Sequence, residues 1–114
     1  MGDRANVYVH HGERPGVYLY THWAGSELPA IVVSALRRGV GRWNDVQYLT
    51  RIIFCEMIKD DVEGKTGYGI SAEVGDGDDR IVDVDTSTQQ IRFIGYDHLD
   101  LGDHVPIAAL PKGN

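Results

Sequence analysis

The feature that most constrains this chain is a change in the period of its apolar residues, from two to about 3.6 and back to two. A5-N-V-Y-V-H-H11 and V17-Y-L-Y-T-H-W23 both alternate, and G12-E-R-P-G16 between them is turn chemistry, so the pair reads as a β-hairpin. From Ser26 to about Arg38, Leu28, Ile31, Val32, Ala35 and Leu36 recur at helical spacing. Ser26 is placed as its N-cap, Glu27 suits the positive helix start, Pro29 is tolerated in the first turn and Gly39 ends the helix. After the connection G39-V-G-R-W-N-D45, Asn44 or Asp45 caps a second helix that runs through about Lys59. Its Val46, Leu49, Ile52, Ile53 and Met57 turn to the core, with Cys55 on the flank. D60-D-V-E-G-K-T-G67 is a polar loop. Three more strands follow, Y68-G-I-S-A-E-V74, R80-I-V-D-V-D85 and Q90-I-R-F-I94, with G75-D-G-D-D79 as the first turn between them. The chain reads as irregular from Tyr96 onward, and residues 111–114 are expected to fray. The order ββ-αα-βββ is that of a single α+β domain over residues 1–114, with two helices packed on one side of an antiparallel sheet.

Alternation also sorts the hairpin side chains by face. Val7 and Val9 lie opposite Asn6, Tyr8 and His10; Val17, Leu19, Thr21 and Trp23 lie opposite Tyr18, Tyr20 and His22. Matching the apolar faces pairs Val9 with Leu19 and Val7 with Thr21, so that Tyr8 faces Tyr20, Asn6 faces His22 and His10 faces Tyr18. One side is aliphatic core. The other is a platform of tyrosines, histidines and an asparagine, which suits a flat heteroaromatic ligand: rings stack at about 1–3 kcal/mol per base and the polar groups bond its edge. The same residues also serve as a half-solvated sheet face or as an oligomer interface.

Charge narrows the class of partner. The net charge is −6, distributed as +1 over residues 1–57 and −7 over residues 58–114. An acidic chain is a poor binder of long nucleic acid, whose affinity comes from neutralising phosphates, but a few local arginines can still hold a small anion. Arg37, Arg38 and Arg42 cluster at the end of the first helix beside Trp43, where the same cations complement the helix dipole. Arg51 falls within the most apolar helix, so it is expected to be partly buried and paired with Glu27, Glu56 or a ligand. Arg4, Asn6, His22, Ser26 and Glu27 form a candidate pocket rim where a helix start meets an arginine. With Tyr8, Tyr20, Trp23 and Arg51 they make up the expected ligand-binding set; ordinary capping and sheet-edge bonding is the competing use.

No catalytic motif stands out. Asp83 and Asp85 share a strand face but alternate with Val82 and Val84, which places them toward solvent. D76-G-D-D79 lacks the spacing of a calcium loop. D97-H-L-D-L-G-D-H104 holds histidines and aspartates, Asp97, His98 and His104 among them, without a zinc spacing, and no metal or other cofactor is expected. Cys55 reads as a small core residue, and as the single cysteine it excludes an internal disulfide framework and fits a reducing cytosol. Ser26 lacks a nucleophile elbow, and Gly39 and Gly41 do not complete a dinucleotide-binding loop. No run approaches a membrane span, and M-G-D-R-A-N-V7 has neither a signal-peptide core nor an acylation signal, so a cytoplasmic protein is expected.

The stretches G2-D-R-A-N-V7, Y20-T-H-W-A-G-S-E-L-P29 and Y48-L-T-R-I-I-F-C-E-M57 resemble a family of small bacterial and phage proteins of uncharacterised activity. Its pattern is a G-D-R-x-N-V start, a Y-S-H-W-G-G-x-E-L-P segment and a Y-L-x-R-I-I-F helix. The resemblance covers roughly residues 2–74 and departs at Thr21 and Ala24, where serine and glycine are usual. It implies a setting in bacteria or infected cells, where by analogy a small phage protein can sequester a nucleotide immune signal of the host. The expected function is therefore non-catalytic binding of a small nucleotide-like or phosphorylated ligand, in a chain that can form a homo-oligomer. The alternatives are a protein-interaction or inhibitor module using the aromatic hairpin face, and a small hydrolase using His22 with Glu27 or Ser26.

Overall fold

The computed structural model describes residues 3–74, 79–96 and 104–110. Six strands form one sheet: β1 (Ala5–His10), β2 (Val17–Thr21), β3 (Tyr68–Ser71), β4 (Ile81–Asp85), β5 (Gln90–Ile94) and β6 (Val105–Pro106), in spatial order β3-β2-β1-β4-β5-β6. The helices are α1 (Leu28–Arg38) and α2 (Val46–Ile58). The fold is α+β, but the sheet is mixed. β1 pairs β4 in parallel, and the expected run of three antiparallel strands is divided, β3 pairing with β2 while β4 pairs with β5. The turn placed at 75–79 and the fraying expected of 111–114 fall largely or wholly outside the described residues.

The core explains the layers. Val7, Val9, Leu19, Val82, Val84 and Ile91 project from one face of the sheet and are fully buried against Leu28, Val32, Leu36, Leu49, Ile53 and Met57 of the helices. Both helices lie on that face, so the alternating partners of these residues project from a face that no described helix covers. α2 begins at the Asp45 N-cap, whose carboxylate accepts from the Tyr48 amide at 3.2 Å. Cys55 is exposed rather than part of the core, and Arg51 is exposed too, because the buried stripe of α2 runs through Leu49, Ile53, Glu56 and Met57. Glu56 ties the two helices together: its carboxylate accepts from Arg38 Nε at 2.9 Å, Lys59 Nζ at 3.0 Å and Ser34 Oγ at 3.2 Å. Burial opposes its ionisation, yet these donors hold its pKa below the ordinary carboxyl value.

The hairpin register differs from expectation by two residues. Val7 pairs Leu19, Val9 pairs Val17, Tyr8 pairs Tyr18 and Asn6 pairs Tyr20. A slip of two keeps every side chain on its own face, so the apolar pattern is blind to it. The connection fixes it. His11 Nδ1 bonds Thr86 Oγ1 and the Gly12 amide bonds Asp85 Oδ1, both at 2.9 Å, which pulls His11 and Gly12 toward β4 and out of the β2 ladder. β6 and a 3-10 turn at Ile107–Ala109 lie within the segment read as irregular, with Ile107 buried in the core.

Candidate functional site

The helix-free face carries the predicted platform. Tyr8 stacks on Tyr18 with centroids 4.4 Å apart and on His10 at 4.7 Å, and Tyr20 stacks on His22 at 5.2 Å. Asn6, on the same face, is buried beneath them. Tyr20 lies across the neighbouring strand: a methyl group at Gly69 would collide with its ring, so this glycine is what lets the tyrosine lie down. The platform continues onto β4 and β5, because the parallel pairing sets Tyr8 beside Asp83 and His10 beside Asp85, and Asp83 beside Arg92. Arg92 is exposed on this face.

His10 is the pivot of the array. Its Nε2 is 2.6 Å from Asp83 Oδ1 and its Nδ1 is 2.7 Å from the Gly12 carbonyl. The Gly12 carbonyl only accepts, so Nδ1 carries a proton, and in the protonated ring Nε2–H donates to Asp83 as well. Burial alone would lower its pKa; the bonds to Asp83 and then Gly12 outweigh that and raise it above the ordinary histidine value. With both nitrogens engaged, His10 has no lone pair for base chemistry. Asp85 is likewise occupied. Burial disfavours its charge, but the Gly12 amide and the Ser87 hydroxyl and amide bring its pKa down to about 2. At the neighbouring position, Thr86 Oγ1 gives its hydrogen to the His10 carbonyl at 3.0 Å and therefore accepts from His11 Nδ1–H.

The predicted pocket rim divides into two places. Asn6 and His22 belong to the platform. Ser26 belongs to a corner where the chain start, a 3-10 turn at Gly25–Glu27 and Arg80 converge. The anion expected there is internal: Asp3 Oδ2 accepts from the Ser26 amide at 2.9 Å and Asp3 Oδ1 from Arg80 at 2.5 Å. The amide bond, then the guanidinium, holds Asp3 at a pKa of about 2. Ser26 is thus not the N-cap of α1, whose start makes no side-chain cap bond. Arg80, which sequence reasoning missed, also bonds the Arg4 carbonyl at 2.7 Å and lies over Tyr96, whose buried hydroxyl donates to the Gly25 carbonyl at 2.8 Å. Only the pairing of β1 with β4 brings residue 80 to residue 3, and nothing local in the sequence signals it.

The remaining candidates scatter. Arg4 and Glu27 are exposed. Arg51 stands on α2, with the sheet between it and the tyrosines, and Glu56, one of its expected partners, pairs with Arg38 and Lys59 instead. Trp23 falls past the end of β2 with 52% of its surface exposed, edge-on to Tyr68. Ser26 and Glu27 line a groove of about 620 Å³ with Ile31, Glu56 and Tyr68, on the helix side. No hydrogen bond among the described residues joins His22 to Ser26 or Glu27. Among the described residues no group of three or more His, Cys, Asp or Glu could hold a metal ion, and Asp97 and His98 lie outside them. No described helix is long and apolar enough to cross a membrane. Comparison with protein-family models, with curated proteins and with solved structures finds no match for this chain.

Proposed function

We propose that this is a non-catalytic binding protein that takes a small nucleotide-like or otherwise phosphorylated ligand on its helix-free sheet face. The observation that carries the reading is the pair of stacks, Tyr18–Tyr8–His10 and Tyr20–His22, on a face no described helix covers. Ring faces there accept a base without demanding its identity. Arg92 sits two strands from Tyr8, about 10 Å away at the ordinary strand spacing, and offers a phosphate an exposed guanidinium on the same face. In the setting that the family resemblance implies, the ligand would be a signalling nucleotide and binding would sequester it. Catalysis has less support, since His10 and Asp85 are engaged by their own partners and no hydrogen bond among the described residues joins His22 to Ser26 or Glu27.

The first experiment is mass spectrometry of small molecules released by heating the purified protein, followed by titration with adenine nucleotides observed by NMR. Arg92→Ala is expected to lose retention at least about tenfold with an unchanged melting temperature, and Tyr8→Ala to lose it with a lowered one, since its ring stacks on Tyr18 and His10 and its hydroxyl accepts from the Gly16 amide. Arg51→Ala, on the far side of the sheet, should bind as the parent does. Retention that survives Tyr8→Ala and fails in Arg51→Ala would overturn the assignment of the face.

A second reading is a protein-interaction or inhibitor module. The tyrosines and histidines of the two stacks also suit contact with a protein surface. That reading predicts an empty protein that forms a stable complex with a protein partner, again lost in Tyr8→Ala.

A further inference from the structure

We propose that β3 is a self-pairing edge, on which two copies of this chain join antiparallel about a two-fold axis between their Gly69 residues. The two edges of the sheet are unequal. β6 is two residues long and contains Pro106, which blunts it. β3 has four residues, Y68-G-I-S71, with neither charge nor proline, and the Ile70 side chain is 60% exposed. An unprotected edge of this kind pairs with another strand.

The ladder phase shows which groups are on offer. The His22 amide donates to the Gly67 carbonyl at 2.8 Å, so Gly67, and by alternation Gly69 and Ser71, direct their main-chain groups to β2. Tyr68 and Ile70 therefore turn their N–H and C=O outward. In an antiparallel pair centred on Gly69, Tyr68 faces the partner's Ile70 and Ile70 faces the partner's Tyr68, and each pair exchanges both main-chain hydrogen bonds. Gly69 then meets the partner's Gly69 at the close, non-bonded position.

Side chains agree with this register on two counts. On the helix side, exposed Ile70 comes against the partner's Tyr68, which already carries Trp23 edge-on. On the other face, Tyr20 lies over Gly69 and so approaches the partner's Tyr20 across the axis. The occupant that satisfies main chain and apolar surface together is a second copy rather than an unrelated peptide. Neither the ligand nor the face assigned above is needed for it.

Sedimentation or native mass spectrometry from micromolar to millimolar concentration tests the pairing. The parent is expected at twice the mass of the 114-residue chain, dissociating on dilution. Ile70→Lys should be monomeric with an unchanged circular dichroism spectrum, since the side chain is mostly in solvent. A parent that stays monomeric throughout, or a dimer untouched by Ile70→Lys, would overturn the proposal.

Discussion

At the scale of single residues, hydrogen-bond chemistry decides the charge states, and the charge states give the pH dependence. His10 donates to two acceptors, and its pKa is raised. A raised value means that its contribution to stability is present below the unfolded-state value near 6.5 and is lost as pH rises through the folded-state value. Denaturant unfolding of the parent should therefore show lower stability at pH 9 than at pH 6. His10→Phe, which keeps a ring against Tyr8 and no titration, should remove most of that difference. Asp83, Asp85 and Tyr8 face this ring, and Tyr18, stacked on Tyr8, has its pKa raised by burial. The corner at Asp3 behaves in the opposite sense. Its pKa is lowered to about 2, so its contribution is present above the ordinary carboxylate range and is lost as pH falls toward 2. Asp3→Asn should cost about 1–2 kcal/mol at pH 7 by urea unfolding, because Arg80 then loses its ion pair with the Asp3 carboxylate. The cost should shrink as pH falls to 2, where about half of the parent carboxyl is protonated as well.

At the scale of elements, α2 is the part most openly written in the sequence. Its apolar spacing and its Asp45 cap are both local, and both appear where the spacing puts them. Asp45→Ala should lower stability by about 1 kcal/mol in urea unfolding, the usual worth of an N-cap bond. α1 was legible in length but not in its start, because the group that answers the Ser26 amide is Asp3, 23 residues away. Burial of Cys55 and Arg51 was misread for a related reason. A helix this apolar looks buried all round, whereas its contact with the sheet and α1 covers one stripe and leaves both residues in solvent. The faces of the hairpin could be read and its register could not, since the turn that sets the register is anchored by Asp85 and Thr86 from another part of the chain.

At the scale of the whole molecule, β1 is the organising strand, with β2 antiparallel on one side and β4 parallel on the other. That parallel neighbour turns a hairpin platform into a wider face by adding Asp83, Asp85 and Arg92, and it builds the Asp3–Arg80 corner at one end. The tyrosines and histidines were therefore legible as a set, while the charges that frame them were not. The same arrangement has a consequence for synthesis. His10 and Asp83 are 73 residues apart in the chain, so a ribosome must deliver most of the protein before the central strand acquires its second neighbour. Until then the nascent hairpin carries a bare edge at its middle, and it is during this interval, rather than after release, that the chain most needs shielding from other unfinished chains.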